Sequence, residues 1–350
     1  MPVIQPAHLT QIATALLTGA GAPPAEAATI ARLSIAANLA GHDSHGIIMI
    51  PSYIERMKVG HIVAGAPWTI TQETPTTTVV DGHWGFGYVV TERAMRLTIE
   101  KARTQNVAAT TVFRQGHIGR LASYPLMAAE QGMIAMITAD SGRSPKHVAP
   151  FGGAKARLGT NPICFAVPSH LEGPLFFDMA TSAAAAGKVA LAVARGKEVP
   201  PGWVIDAEGK PTTDPRKFRQ GGALLPLGGT EGYKGYGLAA MVEIFSGLLT
   251  GLGFGIDPQG RHNDGCFIAV FNVAAFRDLS TFKREVSEFA AYLKDTPPAD
   301  GFDRVYYPGE IEFERERERR ANGIPIEDAT WAVLQKLATE HGVAEQLRLR

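Results

Sequence analysis

Apolar residues recur at helical spacing over the first forty positions of the chain. Leu9, Ile12 and Leu16 lie three or four residues apart, a break rich in glycine and proline follows, and a second periodic stretch ends near Leu39. Apolar residues at this spacing line one face of an amphipathic helix, and glycine with proline interrupts helices. The pattern therefore predicts two helices within residues 8–40, and a third helix around Tyr53.

From Gly87 onward, helical and extended patterns alternate along the chain. Helices are predicted over residues 91–103, 122–131, 236–249 and 281–293, with mostly helix over 311–347, and strands over 76–80, 107–113, 133–138, 163–167, 175–178 and 267–271. Such alternation favours an α/β fold, in which helices cover a central sheet. We expect the central α/β body at residues 76–284, and a helical part built from residues 1–75 and 285–350.

The composition is that of a globular protein able to bury a sizeable core. The chain has 350 residues and a mass of 37.4 kDa, and 45% of its residues are hydrophobic and 19% charged. Lysine plus arginine equals aspartate plus glutamate at 34 each, which removes any bulk electrostatic case for binding nucleic acid or an anionic membrane. The sequence has no apolar stretch of the roughly 20 residues that span a membrane and no signal-peptide pattern. With only two cysteines, we expect a cytoplasmic protein.

The densest group of candidate catalytic residues is the segment Gly41-His-Asp-Ser-His-Gly46. Histidine titrates near neutral pH, so His45 could exchange a proton with a substrate, and the neighbouring Ser44 could fix its tautomer or pass the proton onward. Other interpretations use the same residues. Asp43 or Ser44 could cap the helix that starts near Ile47. His42, Asp43 and His45 could bind the metal ion of a hydrolase, whereas a serine hydrolase lacks its Gly-x-Ser-x-Gly segment here.

Two glycine-rich segments could hold an anion at the start of a helix. Gly116-His-Ile-Gly-Arg120 follows a predicted strand, and Arg120 supplies a fixed positive charge for phosphate or carboxylate; an ordinary turn with a surface arginine is the alternative. Gly228-Gly-Thr-Glu-Gly-Tyr-Lys-Gly-Tyr-Gly237 opens a predicted apolar helix and carries Lys234. This second segment departs from both the P-loop and the Rossmann fingerprint, so a nucleotide enzyme with this sequence would be non-Rossmann.

The charged run Glu312 to Arg320 contains glutamate–arginine pairs three residues apart, among them Glu316 with Arg319. Pairs at this spacing meet on a helix surface. The run is therefore predicted to be a solvated helix face rather than a binding surface.

Taken together, these segments resemble the malate/L-lactate dehydrogenase family of the non-Rossmann type. The resemblance runs nearly end to end through Asp43-Ser-His-Gly46, His117-Ile-Gly119, Ala149-Pro-Phe-Gly152, Leu158-Gly-Thr-Asn-Pro162, Asp178-Met-Ala-Thr-Ser182, Lys234-Gly-Tyr-Gly237, Pro308-Gly-Glu310 and Gly323-Ile-Pro325. Each motif is short, but their order and spacing are specific. The resemblance implies the fold of that family, a central, mostly β-sheet cofactor domain with a helical domain that is built from both termini and carries the catalytic histidine.

The resemblance also implies a reaction, the transfer of hydride between NADH or NADPH and the carbonyl carbon of a 2-oxo acid. His45 would protonate the substrate oxygen and Ser44 would belong to its proton relay; such an acid contributes about 10² to 10⁴ in rate. The implied cofactor-binding residues are His117, Ile118, Gly119, Arg120, Leu121, Asp178, Met179, Ala180, Tyr233, Lys234, Pro308, Gly309 and Glu310. The implied substrate-binding residues are Met49, Tyr53, His117, Arg120 and Thr160. A homodimer and no metal site are expected.

One departure from the family pattern concerns the substrate. Many members have an arginine four residues after the catalytic histidine, where it binds the substrate carboxylate; here that position is Met49. A thioether cannot pair with a carboxylate, so we expect Arg120 to bind the carboxylate and Met49 to form an apolar wall. This predicts a preference for bulky or aromatic 2-oxo acids such as phenylpyruvate and hydroxyphenylpyruvate. The alternatives on the same scaffold are a cyclic-imine (piperideine-2-carboxylate) reductase and a malate, lactate or ureidoglycolate dehydrogenase.

Overall fold

A computed structural model describes residues 1–140, 142–256, 261 and 264–347 of the chain. Its helices are α1 (Pro6–Gly19), α2 (Pro24–Leu39), α3 (Ile50–Lys58), α4 (Gly87–Gln105), α5 (Pro125–Ala129), α6 (Ala186–Ala194), α7 (Arg216–Arg219), α8 (Gly232–Glu243), α9 (Leu279–Lys294), α10 (Glu310–Asn322) and α11 (Asp328–Glu340). Its strands are β1 (Val3–Ile4), β2 (Thr69–Glu73), β3 (Thr77–Gly85), β4 (Val107–Gln115), β5 (Met133–Asp140), β6 (Ile163–Val167), β7 (Leu175–Met179), β8 (Val204–Ile205), β9 (Pro211–Thr212), β10 (Ala223–Leu224), β11 (Gly265–Asn272) and β12 (Ile324–Pro325). The three helices predicted before residue 60 are confirmed.

Seven of these strands form one central sheet in the order β2-β3-β4-β11-β5-β6-β7. β3 and β4 are parallel and are joined by α4, whereas the other neighbouring strands in this sheet run antiparallel. The middle strands β5 and β11 are largely buried on both faces, which explains why their sequences are continuously apolar rather than alternating. The predicted α/β fold with a central sheet is confirmed, with parallel pairing confined to one strand pair.

Proline and glycine set the bounds of the helices in two predicted helical stretches. The helix predicted over residues 122–131 is reduced to α5, because Pro125 has no N–H group and starts a new helix, and Gly132 follows with a positive φ of 80°. The mostly helical stretch predicted over 311–347 is confirmed as α10 and α11, which are separated at Gly323, whose φ is 87°. Such a conformation suits glycine after a helix end, and it directs the chain into β12.

Segments near the two ends of the chain lie side by side. β1 pairs antiparallel with β12, with Ile4 opposite Ile324, and α10 packs on α2. β2 pairs with β3 and so joins the central sheet. The domain division at 1–75, 76–284 and 285–350 stays a prediction.

The main hydrophobic core lies between the central sheet and the helices. Tyr53, Tyr88 and Tyr124 are among its largest fully buried side chains. A smaller core around Val148 and Leu224 lies next to the three-stranded sheet β10-β8-β9, whose two-residue strands are too short to give a recognisable alternation. Within the described residues, no helix has the length and apolar character needed to cross a membrane.

A buried ionic cluster connects the end of β5 with the end of α8. The Nζ of Lys146 lies 3.3 Å from Asp140 Oδ1 and 3.4 Å from Glu243 Oε1, and Glu243 Oε2 accepts a hydrogen bond of 2.8 Å from Asn161 Nδ2. One ammonium group thus faces two carboxylates. Burial and the neighbouring Glu243 raise the pKa of Asp140 to about 7. Near neutral pH, Asp140 therefore retains a proton that the unfolded chain would have released.

Replacing Asp140 by asparagine tests this assignment. Between the ordinary pKa of 3.8 and about 7, the folded chain binds more protons at this site than the unfolded chain, so the stability that it contributes is lost as the pH rises. Asparagine stays neutral, so we expect the stability of D140N relative to the wild type to increase from pH 5 to pH 8, by on the order of 1–3 kcal/mol. Denaturant unfolding at both pH values measures the difference.

The matched control is Glu100→Gln, which changes an exposed carboxylate paired with Arg103 on α4. It should leave the pH dependence of stability unchanged. A D140N variant that is destabilised equally at pH 5 and pH 8 would contradict the assigned proton.

Candidate active site

His45 stands in a short 3₁₀ turn, Asp43–His45, between α2 and α3. The Oγ of Ser44 lies 3.0 Å from His45 Nδ1, and the imidazole stacks on that of His117 with 5.7 Å between ring centroids. Burial lowers the pKa of His45; Asp178 opposes this effect, and His42 and Arg120 reinforce it. The ring is therefore a titratable group with one nitrogen directed to a hydroxyl group.

A chain of buried hydroxyl groups fixes the two histidines relative to each other. Tyr53 Oη lies 2.8 Å from His117 Nδ1 and donates a longer bond, 3.4 Å, to Tyr88 Oη. Tyr88 Oη in turn donates to the backbone carbonyl of His45 at 3.2 Å. Tyr53 is only 1% exposed, so its hydroxyl group positions His117.

Arg120 places a buried positive charge near His45. The residue is 7% exposed, and its guanidinium carbon lies 5.3 Å from the ring centroid of Phe176. Its Nε atom is buried and lacks a hydrogen-bond partner among the described residues. An unsatisfied buried donor costs about 1–3 kcal/mol, so the arrangement favours a bound anion at this position.

Backbone hydrogen bonds bring the predicted cofactor segments together at the β7 edge of the sheet. Ala122 N donates to Asp178 Oδ2 at 2.8 Å, and Phe176 N donates to the carbonyl of Pro308 at 3.3 Å. Thr181 bonds the carbonyl of Thr160 through both its N–H and its hydroxyl group. Segments that are more than 180 residues apart in the sequence therefore converge.

The other predicted cofactor residues contribute in different ways. The side chains of Ile118 and Leu121 belong to the core, so only their backbones can face a ligand, and the N–H of Ile118 donates to Asp264 Oδ2. Gly119 has a φ of +73°, and a Cβ there would lie 2.2 Å from the Tyr88 hydroxyl oxygen. No side chain fits at this position, which explains the glycine.

Two predicted cofactor residues are engaged in ion pairs. Glu310 is buried, pairs with Lys294 and accepts a hydrogen bond of 3.1 Å from Tyr307 N. Lys234 is exposed and lies 3.2 Å from Glu231 Oε2. In the segment before α8, the N–H of Leu227 donates to the Thr181 carbonyl. This hydrogen bond connects the segment that leads to Lys234 with the site.

Met49, Met179, Ala180, Tyr233 and Gly309 complete the predicted set. Met49 is half-buried and packs against the main core, one 3₁₀ turn after His45. Met179 ends β7, and Ala180 follows it. Tyr233 stacks edge-on against Phe151. Gly309 precedes α10 with a φ of +95°.

The candidate metal ligands do not converge. His42 Nε2 faces Glu312 Oε1 at 3.4 Å, Asp43 pairs with Arg319, and His45 faces Ser44. Across the described ranges, no group of three or more histidine, cysteine, aspartate or glutamate side chains is arranged to hold a metal ion.

Sequence reasoning missed the part of α10 that reaches this site. Arg319 was expected to pair with Glu316 along a solvated face, but it pairs with Asp43 instead, and Glu316 pairs with Arg320. The prediction was wrong because spacing along a helix shows which residues are neighbours but not which face is covered. The separation of Glu312 and Arg319 by seven residues, two helical turns, is the one signal of a shared face.

Comparison with known proteins agrees with this geometry. The family model of malate/L-lactate dehydrogenase matches residues 4–335. A malate dehydrogenase of Pyrococcus abyssi is 36% identical, covering 94% of this chain and 92% of the relative. Hydroxycarboxylate dehydrogenase B of Escherichia coli O157:H7 is 35% identical, with coverages of 93% and 91%. The crystal structure of malate dehydrogenase from Entamoeba histolytica matches with a TM-score of 0.93 and 32% identity over 98% of both chains.

These matches span nearly the whole chain. The expected resemblance and fold are confirmed. The chain belongs to the malate/L-lactate dehydrogenase family, and it is an oxidoreductase of 2-hydroxy acids that uses a nicotinamide nucleotide.

Proposed function

We propose that the protein reduces 2-oxo acids to 2-hydroxy acids with NADH or NADPH, and that His45 donates the proton. The observation that supports this most is a titratable imidazole that lies beside a hydroxyl group and within electrostatic range of a buried cation. Ser44 Oγ lies at His45 Nδ1, and Arg120 is close enough to influence the pKa of His45. A proton donor beside an anion site suits a substrate that carries a carbonyl group next to a carboxylate.

The proton chemistry follows from the two ring nitrogens of His45. When bound, the nicotinamide nucleotide supplies the hydride that the carbonyl carbon receives. His45 Nδ1 faces Ser44, so Nε2 carries the proton that the carbonyl oxygen takes up. The exposed Ser44 connects the ring with solvent, from which the imidazole regains its proton.

The residues present fit a nicotinamide nucleotide. Hydrogen bonds join the segments around residues 122, 176–181 and 308 along one edge, and a bound anionic group would supply the partner that the buried Nε of Arg120 lacks among the described residues. Ala180 and Gly309 add little side-chain bulk there, and none of Met179, Ala180 and Gly309 adds charge. These segments would hold the cofactor while the 3₁₀ turn with His45 faces the substrate.

Arg120 is proposed to bind the substrate carboxylate, because Met49 cannot. A planar guanidinium group can bind both oxygens of a carboxylate, and burial of Arg120 strengthens the pairing. Met49 then offers an apolar surface one 3₁₀ turn from His45, and this supports a preference for bulky or aromatic 2-oxo acids. A cytoplasmic location is also inferred, supported by two cysteines that are buried and unpaired.

Reduction of a 2-oxo acid should disappear when His45 is replaced by glutamine. We expect kcat to fall by about 10² to 10⁴ in oxidation of NADH or NADPH with phenylpyruvate, hydroxyphenylpyruvate, pyruvate, oxaloacetate or piperideine-2-carboxylate. Burial lowers the pKa of His45 below the usual histidine pKa of 6.5. The decline of wild-type kcat/KM with rising pH should therefore begin at a lower pH than for an ordinary histidine. A bound carboxylate offsets Arg120, so kcat should decline at a higher pH than kcat/KM.

His61→Gln, an exposed histidine outside the site, is the matched control and should keep full activity. Turnover of the cyclic imine alone, with little loss in H45Q, would favour the imine reductase. Absence of turnover and of cofactor binding would overturn the dehydrogenase proposal.

Replacement of Arg120 by leucine tests the carboxylate anchor. We expect KM for the 2-oxo acid to rise about 10- to 100-fold, as for loss of a hydrogen bond to a charged group, with KM for the cofactor within about twofold. The pH at which kcat/KM begins to decline should also be higher in this variant, because Arg120 lowers the pKa of His45. Arg93→Leu is the control, since Arg93 also stacks over an aromatic ring, that of Trp68 at 4.4 Å, but is exposed. A rise confined to KM for the cofactor would assign Arg120 to cofactor binding instead.

The protein is further proposed to be a homodimer, as the family resemblance implies. Exposed apolar side chains along α8, the helical turn after it and the loop that follows support this; they are Tyr233, Tyr236, Met241, Ile244, Phe245, Leu248, Leu249, Phe254 and Ile256. A patch of this extent on one segment is typical of an interface.

Light scattering should return twice the chain mass of 37.4 kDa for the wild type. Leu248→Asp should reduce it to a single chain, because a carboxylate would be buried without a partner. Val333→Asp, an equally exposed apolar position on α11, should keep the dimer. A single-chain mass for the wild type would contradict the proposal.

A further inference from the structure

The turn that carries His45 is held at its first residue by the C-terminal helix α10. Arg319 Nη1 lies 2.6 Å from Asp43 Oδ1, and Arg319 Nη2 lies 2.9 Å from Asp43 Oδ2. This is the two-bond arrangement in which a guanidinium group fixes both the distance and the orientation of a carboxylate. The same Nη1 also donates to the backbone carbonyl of Asn38, the penultimate residue of α2.

Asn38 completes the connection on the other side of the turn. Its Nδ2 donates to Asp43 Oδ1 at 2.7 Å, and its Oδ1 accepts from the N–H of Ile47 at 2.8 Å. Asn38 is buried, and a Cβ on Gly46 would lie 2.2 Å from its Oδ1 atom. Asp43 and Ile47 are thus both hydrogen-bonded to the Asn38 side chain, and Ser44 and His45 lie between them in the sequence.

The burial of Arg319 distinguishes this contact from the other pairs on the helix. The Arg319 side chain is 11% exposed, whereas that of Arg320, which pairs with Glu316 one turn away, is 61% exposed. Glu312 on the same face contacts His42, and the side chain of Arg315 packs against Gly41. Solvated pairs contribute little; here the Arg319 side chain is shielded while Asp43 is 51% exposed, and the two bonds fix the geometry of the pair.

We propose that Arg319 is a positioning residue for His45, acting through Asp43. The proposal rests on the proposed role of His45 as proton donor. Proton transfer demands placement of the donor to within about 1 Å, and a misplacement of that size costs about 10² in rate. Loss of Arg319 removes two of the three hydrogen bonds that the Asp43 carboxylate accepts from Arg319 and Asn38, and this loosens the start of the turn, while the proposed cofactor segments at the β7 edge keep their own hydrogen bonds. The effect therefore falls on the chemical step and not on cofactor binding.

Kinetics of Arg319→Met and Arg320→Met test the proposal side by side. We expect kcat for 2-oxo acid reduction to fall about 10- to 100-fold in R319M, with KM for the reduced cofactor within about twofold, and R320M to match the wild type. Arg319→Lys, which keeps the charge but only one of the two bonds, should fall between R319M and the wild type. Equal activity of R319M and R320M would overturn the proposal.

A double variant shows whether Arg319 acts through Asp43. Asp43→Asn should reproduce the loss in R319M, and the double variant should lose no more than either single variant, because both remove the same contact. Losses that multiply would overturn the proposed route. Should R319M fail to fold, R319K and D43N decide by the same comparison.

One readout does not depend on turnover. The Cε1–H resonance of His45, assigned by its absence in H45Q, should shift in R319M and D43N but not in R320M. An unchanged resonance in R319M overturns the positioning role even in an active enzyme. Conversely, a shifted resonance in a protein that reduces no 2-oxo acid would sustain the positioning role and refute the proposed function.

Discussion

The insertion of β11 between β4 and β5 is the constraint on which the rest of the architecture depends. β4 and β5 follow each other in the sequence with only a short helix between them, yet they are not neighbours, because residues 265–272 pair with both. Asp264, immediately before β11, accepts the N–H of Ile118, and its carbonyl accepts Gln115 Nε2. A late segment of the chain therefore fixes the shape of the loop that carries His117 and Arg120.

The site also depends on hydrogen bonds that connect His45 with His117. The two imidazoles of His45 and His117 belong to different elements, and their stacking is maintained by the buried hydroxyl groups of Tyr53 and Tyr88. Hydrogen bonds in such a buried chain are costly to leave unmade. The tyrosines are therefore both core residues and supports of the site, so packing and catalytic geometry are specified by the same side chains.

Sequence patterns were sufficient to predict elements and motifs that depend on residues close together in the sequence. Periodicity located α1, α2 and β5, and the order of short motifs identified the loop with His45 and the segments around Arg120 and Asp178. What the patterns missed depends on contacts between distant residues. Nothing near Arg319 in the sequence indicates Asp43 as its partner. The three-residue spacing of ion pairs on a helix instead predicted that Arg319 pairs with Glu316. Similarly, helices alternating with strands suggest parallel pairing, whereas β11 returns antiparallel from the far end of the chain.

The pairing of Arg319 with Asp43 joins residues 276 positions apart. Contacts of this separation form late, because the loop that they close is expensive in entropy. During synthesis from the N-terminus, the turn with His45 emerges long before α10 does. His45, the proposed proton donor, is thus synthesised early, but its turn is organised only after almost the entire chain is made, so a partial translation product would contain the proposed catalytic residues without an ordered site.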